Sequence, residues 1–357
     1  MLILRRARHR TACLCCSMHK LLIVLTILLC LSSIALAEAK DGNTLDFPLN
    51  MADLRAELSD AHRPESRNNR YPRRVDYQIR TWNKITDALN NRSASLLLEQ
   101  QPQRVIPHTV GLTEELWAIV PHERIVGLHE SSRVAAYSFL ADQFPAEIPT
   151  FLTEDAEMVI GLQPDLVITS FYSSAAFKHQ LNLAEIPHVE TGFFGGIEDI
   201  RDQIRLFGDM LGVEASARQL LQTMSHNSEA ICNVVTQRLD GQVPTLLYYD
   251  RMGFVAGKHT LFDALCQRLG VKNAASEHGI GFFKQVGYET VLKWNPDIIV
   301  VPADSGLKQR LTGQPILAMS NAVQQHRIYA IPEYYLTASS QFVIASLNYL
   351  GGILNDE

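Results

Sequence analysis

From Arg104 onward, short apolar runs alternate with stretches of helical length. Residues 104–107 read as a first strand. Residues 113–120 read as a helix with Glu114 and Glu115 in its first turn, where negative charge suits the helix dipole. Strands follow at 124–128, 166–170 and 187–190, with helices at 134–144 and 177–183 between them. After Pro244 the pattern resumes, with a strand at 245–249, a helix at 259–269 closed by Gly270, strands at 298–301 and 327–331, and a last helix at 339–350. Strands spaced by helices predict an α/β fold with parallel sheets. Residues 197–211 and 214–239 are amphipathic and broken only at Gly212. The second segment would span about 39 Å as one helix at 1.5 Å per residue, enough to cross between two lobes. Two ordinary packed helices with a kink are the alternative.

The block 157–168 lines up with 289–300, both reading Glu-x-Val-(Ile/Leu)-x-x-x-Pro-Asp-(Leu/Ile)-(Val/Ile)-(Ile/Val). Each copy predicts a short helix stopped at the proline, then a buried strand, because the residue before proline is pushed out of helical geometry. One supersecondary unit used twice implies two lobes and a cleft between them. Upstream, residues 62–74 have almost no apolar content and read as an exposed loop. Residues 76–100 read as a helix on Ile79, Trp82, Ile85, Leu89 and Leu96 to Leu98, packing against the first lobe and carrying no recognisable chemistry.

The N-terminus changes the compartment. Arg5, Arg6, Arg8, Arg10 and Lys20 precede the apolar run 21–31, and Ala35-Leu36-Ala37 offers a cleavage site before Glu38. Met18 is an alternative start. Leu28 and Leu29 before Cys30 do not form a lipoprotein box; a lipid anchor and an uncleaved leader stay open as alternatives. Of 32 Lys and Arg, the five in residues 1–37 leave with the leader; 27 remain against 38 Asp and Glu, a formal charge of −11. That balance argues against a nucleic-acid partner, which would need a basic face. Cys13, Cys15, Cys16 and Cys30 also leave, so Cys232 and Cys266 remain as a disulfide or as two buried thiols. No Gly-x-Ser-x-Gly, P-loop, Gly-x-Gly-x-x-Gly or His-Glu-x-x-His motif is present, and nothing pairs the isolated carboxylates Glu130 and Asp304, so the reading is not that of an enzyme.

The segments 104–106, 113–114, 124–128, 157–168, 200–212, 289–301 and 327–332, in that order and spacing behind a leader, resemble periplasmic solute-binding proteins of ABC importers. The resemblance is to the group that carries ferric siderophores, haem and cobalamin, and it covers about residues 102–350. It implies two lobes with central parallel sheets joined by a long rigid interdomain helix, a shallow cleft and limited hinge motion. The implied organisation is a signal peptide at 1–37, an N-terminal extension and helix at 38–101, an N-terminal lobe at 102–196, a helical backbone at 197–240 and a C-terminal lobe at 241–357. It further implies a monomer in the periplasm, cut after Ala37, with no intrinsic cofactor, whose ligand is an iron chelate, haem or corrinoid. Glu157 and Glu289 fall where family members present glutamates to arginines of the inner-membrane permease. The other reading of both is an exposed first-turn glutamate favoured by the dipole.

Ligands of open parallel sheets sit beyond the strands' carboxyl ends. The loops there are rich in aromatics and suit a large, partly apolar ligand held by stacking. The ligand-binding candidates are His129, Glu130, Tyr172, Phe193, Arg251, Phe283, Tyr334 and Tyr335. Tyr172 is a contact or a rim aromatic. Arg251 pairs with an anionic ligand group, or else with neighbouring Asp250 or across a lobe–lobe contact. Tyr334 and Tyr335 line the cleft, or one of them packs inward. His129 and Glu130 with His108 or His278 would be the start of a zinc or manganese site, though no ligand spacing supports it. Axial haem ligation by Tyr172 or a cleft histidine is a further possibility.

Overall fold

The computed structural model describes residues 48–63, 71–83, 88–303 and 306–354. The leader and its cleavage site, residues 64–70 of the loop at 62–74, Ile85 and Asp304 lie outside the described residues. After a short helix, α1 (Met51–Ser59), the helix expected at 76–100 is instead an antiparallel hairpin of β1 (Arg73–Asn83) and β2 (Ala88–Leu98). The apolar positions Ile79, Trp82 and Leu89 fit a helical spacing. Val75, Tyr77 and Ile79 alternating with Asp76, Gln78 and Arg80 fit a strand better, and period two wins. The side that buries Val75, Ile79 and Leu98 faces the body of the protein. Arg73 fastens the hairpin by an ion pair to Glu214 at 2.7 Å, and the Tyr71 hydroxyl donates to the Met210 carbonyl at 3.0 Å.

The N-terminal lobe follows: β3 (Val105–Pro107), α2 (Val110–Ile119), β4 (Leu128–His129), β5 (Thr150–Phe151), α3 (Ala156–Gly161), β6 (Leu166–Ser170), α4 (Ala175–Leu183) and β7 (His188–Thr191). The parallel order is β3-β6-β7, with β4-β5 as a separate parallel pair. The expected helix at 134–144 does not form. The Arg133 guanidinium donates to the carbonyls of Phe144, Pro145 and Ile148 at 2.6–2.9 Å, and the Glu114 carboxylate accepts from Phe139 N–H at 2.8 Å. Glu114 thus takes a backbone N–H that the helix would use, and Arg133 ties down carbonyls at and beyond its expected end.

α5 (Ile197–Leu211) ends on Gly212 at φ 65°, and α6 (Glu214–Leu239) runs for 26 residues. The C-terminal lobe comprises β8 (Thr245–Tyr248), β9 (Phe254–Ala256), α7 (Leu261–Leu269), β10 (Lys272–Asn273), α8 (Ala274–Glu277), β11 (Phe283–Gln285), α9 (Tyr288–Trp294), β12 (Ile298–Pro302), α10 (Leu307–Thr312), α11 (Asn321–Gln324), β13 (Ile328–Ile331), α12 (Glu333–Leu336) and α13 (Val343–Ile353). Its sheet is parallel, ordered β10-β8-β12-β13. One buried core runs unbroken from Leu116 and Leu166 in the first lobe, through Phe207, Met224 and Ile231, to Leu246, Phe262 and Phe342. Each lobe adds a smaller core on its outer side. Cys232 and Cys266 are free, buried thiols on α6 and α7.

The sequence repeat has a structural cause. α3 and α9 stop at Gln163 and Asn295, both at positive φ, just before the prolines. The aspartate that follows each proline then clasps the neighbouring strand. Asp165 accepts from the N–H groups of Gln103 (2.6 Å) and Arg104 (2.9 Å), where β3 begins. Asp297 accepts from Thr245 N–H at 2.8 Å, where β8 begins. A carboxylate on backbone N–H groups is a charge-assisted bond, and here it sets the register of each lobe's sheet.

Candidate functional site

Between the carboxyl ends of the two sheets lies a cleft in two parts. The first, polar in the side chains it gathers though not in most of its surface, is a cavity of about 310 Å³ lined by His108, Glu114, His129, Tyr172, Tyr334 and Ser339, among others. The second is an aromatic cavity of about 240 Å³ walled by Phe171, Phe193, Phe194, Tyr248, Phe282 and Phe283. Thr337 lines both, and the Phe171 and Tyr172 rings meet edge to face at 5.0 Å across the boundary.

His108 directly follows β3. It is buried, stacked at 4.0 Å on Phe177, with Nδ1 2.9 Å from Ser173 Oγ. Its Nε2 is buried without a hydrogen-bond partner. Desolvation pushes its pKa down to about 4, so the ring is neutral at pH 7. His129 is bound at both nitrogens: Nδ1 accepts from Ser131 N–H at 3.2 Å, which leaves Nε2 to donate to Thr153 Oγ1 at 2.7 Å. Burial lowers its pKa too.

Glu114 departs most from its sequence reading. Thr109 caps α2, its Oγ1 accepting from Leu112 N–H at 3.3 Å, so the helix starts three residues earlier than expected. Glu114 and Glu115 therefore leave the first turn and point inward, 2% and 0% exposed. Glu114 accepts from Ser138 Oγ (2.9 Å), Phe139 N–H (2.8 Å) and, from the far end of the chain, Ser340 Oγ (2.6 Å). Burial outweighs these bonds and raises its pKa to about 7. Glu115 is held well above the usual carboxylate range for the same reason, with Gln203 as its donor at 2.7 Å. Gly111, one turn earlier, packs directly on Ser339; a Cβ there would lie 2.3 Å from its Oγ.

Of the eight candidates, the structure brings His129, Tyr172 and Tyr334 into the polar cavity and Phe193 and Phe283 into the aromatic one. Tyr172 stands at the rim, 57% exposed. The other three fall elsewhere. Tyr335 packs inward against Phe139 and Tyr349, because the turn of α12 points it into the shared core. Arg251 pairs with Glu333 at 2.6 Å and lines a separate pocket with Tyr249, Tyr288 and Arg310. Glu130 is exposed and lines neither cavity. His108 and Phe282 lie in loops 108–111 and 279–283, beyond strand ends where a ligand is expected, whereas Glu114 and Tyr248 are the residues that sequence reasoning missed. For Glu114 the signal was a pair of acids inside Leu-Thr-Glu-Glu-Leu-Trp-Ala-Ile-Val, a segment otherwise fit only for a core.

Among the described residues, no three His, Cys, Asp or Glu side chains gather as a metal site, and His278 instead stacks on Trp294 in the second lobe. Glu157 and Glu289 are exposed in the first turns of α3 and α9, one in each lobe.

The family model described as periplasmic binding protein matches residues 115–335. No curated protein matches the chain in sequence. Among solved structures, the periplasmic heme-binding protein RhuT from Roseiflexus sp. RS-1 is similar at 23% identity and a TM-score of 0.62, over 71% of this chain and 98% of that one. A possible iron-binding periplasmic protein from Staphylococcus epidermidis aligns at 20% identity and 0.63, over 72% and 100%. The heme-binding protein BhuT, in complex with two hemes, aligns at 23% and 0.61, over 71% and 98%. These likenesses establish the two-lobed fold.

Proposed function

The chain belongs to the periplasmic binding protein family, and on that premise we propose that it captures an iron-containing tetrapyrrole or a similar iron chelate and hands it to an ABC permease. The two-part cleft carries this reading. A flat, mostly apolar ligand finds stacking surfaces on Phe171, Phe193, Phe194 and Phe282, while its polar edge meets the imidazoles, the Tyr172 hydroxyl and Tyr334. Both cavities together fall within the roughly 300–1,000 Å³ typical of small-molecule sites. The Tyr172 phenol at the rim is the exposed donor for an axial bond to iron, while the neutral His108 imidazole, which needs no proton loss to serve, would have to be uncovered first. The similar proteins named as heme-binding favour haem over other chelates.

The finer reading is a monomer without catalysis, exported by cleavage after Ala37, with lobes at 102–196 and 241–357 around a backbone at 197–240. Glu157 and Glu289 dock the permease arginines, a role supported by their recurrence at one place in both lobes. The test is titration of the purified mature protein with haemin, followed by absorbance. A saturable Soret shift, altered in His108→Ala or Tyr172→Phe, supports the reading. No binding of haemin, ferric siderophores or corrinoids refutes it.

A further inference from the structure

The hairpin precedes the residues that the family model matches, yet it reaches the cleft. Its main chain is locked to the end of β7: Phe193 N–H donates to the Arg80 carbonyl at 2.6 Å, and a Cβ on Gly192 would lie 2.4 Å from Arg80 N. Arg80 also pairs with Asp199, and Arg92 lies 3.7 Å from Glu190. Two residues beyond Arg80, Trp82 stacks on Phe282 with centroids 5.3 Å apart. It lies 5.5 Å from His259 and 6.2 Å from Phe193. Phe193 belongs to the first lobe, while Phe282 and His259 belong to the second. All three line the aromatic cavity, but Trp82 stands outside the lining, behind them. At the same seam, Gly195 of the first lobe approaches His259 so closely that a Cβ would sit 2.7 Å from its carbonyl oxygen.

We propose that Trp82 is a positioning residue of the ligand cavity, holding an aromatic wall assembled from both lobes, so that the N-terminal hairpin sets how tightly a flat ligand is gripped. The indole offers one broad face to rings from two lobes. Apart from the Phe193–Phe282 pair, the other aromatic partners of those rings lie within their own lobe. Aromatic pairs of this geometry favour defined orientations. The part concerning ligand grip rests on the tetrapyrrole reading above; the part concerning the wall does not.

Two measurements on the mature protein separate them. Hydrogen exchange without ligand compares the parent with Trp82→Ala and Trp82→Phe over residues 253–260 and 280–286. About tenfold faster exchange there in Trp82→Ala, with the α13 core unchanged and protection restored in Trp82→Phe, is the expected result. Equal exchange in parent and Trp82→Ala overturns the proposal. Haemin titration is expected to show affinity about tenfold weaker for Trp82→Ala and near parental for Trp82→Phe. Unchanged haemin affinity in Trp82→Ala overturns the role in ligand grip. If the parent itself fails to bind haemin while the exchange result holds, the tetrapyrrole reading falls and the positioning role stands. Should Trp82→Ala not fold, Trp82→Leu keeps the bulk without the ring face and serves in both measurements.

Discussion

Glu114 makes the stability of the fold depend on pH through one side chain. Its carboxyl has a folded pKa of about 7 against an ordinary 4.5, because burial disfavours the anion. Below pH 4.5 the group is protonated in both states and costs the fold nothing. As pH rises through 4.5 to 7 the unfolded chain releases its proton first, and stability falls. Above pH 7 the accumulated loss, at 1.36 kcal/mol per pKa unit, is about 3 kcal/mol. His108 works in the opposite sense. Its lowered pKa contributes stability above the unfolded value near 6.5 that is lost as pH falls towards 4, so the parent's own pH profile mixes the two with Glu115, whose carboxyl is also held well up by burial. The difference between parent and Glu114→Gln cancels His108 and leaves Glu114 together with its repulsion of neighbouring Glu115. The glutamine keeps an oxygen for Ser138 Oγ and Phe139 N–H, and its amide donates to Ser340 Oγ once that hydroxyl turns. Urea unfolding followed by circular dichroism at pH 5 and pH 8 measures it. Glu114→Gln should match the parent at pH 5 and exceed it by about 2–3 kcal/mol at pH 8. A variant less stable than the parent at both pH values, by the same amount, would refute the reasoning, because the carboxyl would then titrate alike in the folded and unfolded chain over that range.

Three further outcomes follow from the packing. Gly111→Ala should cost about 1–3 kcal/mol in urea unfolding, because its Cβ meets the Ser339 hydroxyl and carbonyl across the junction between α2 and the C-terminal segment; an unchanged midpoint would show that this approach is loose. Asp165→Ala and Asp297→Ala should each cost about 1.5–3 kcal/mol, and the double variant should show their sum, since the two clasps lie in different lobes; strong non-additivity would contradict their independence. Glu157→Ala with Glu289→Ala should leave haemin affinity unchanged while abolishing stimulation of permease ATPase activity in proteoliposomes; full stimulation would remove the docking role.

The helices at 197–211 and 214–239 were legible to the residue because their apolar pattern is long and unambiguous. The repeat gave the two lobes, and Pro-Asp proved to be its structural reason. The hairpin was lost because the spacing of Ile79, Trp82 and Leu89 suits a helix while Val75, Tyr77 and Ile79 suit a strand, and only packing against the body of the protein decides. Glu114 and Glu115 were misplaced because charge reads as exposure unless donors from distant segments are known; Ser340 lies at the other end of the chain. Tyr172, Phe193 and Phe283 were legible from their places in loops after strands or beside the cleft. Trp82 was not, because its partners come from both lobes.

The single core that threads from Leu116 to Phe342 also bears on how cargo is announced. Swinging the lobes apart would tear close-packed side chains from one another at every level of that core, a far larger cost than a bound small molecule repays. A shared core of that kind would hold the outer faces that carry Glu157 and Glu289 at nearly one separation whether the cleft is full or empty. A permease that measured only that separation would receive loaded and unloaded copies alike. What distinguishes them lies at the mouth of the cleft, where Tyr172 and Phe283 stand exposed and a ligand would change the surface itself.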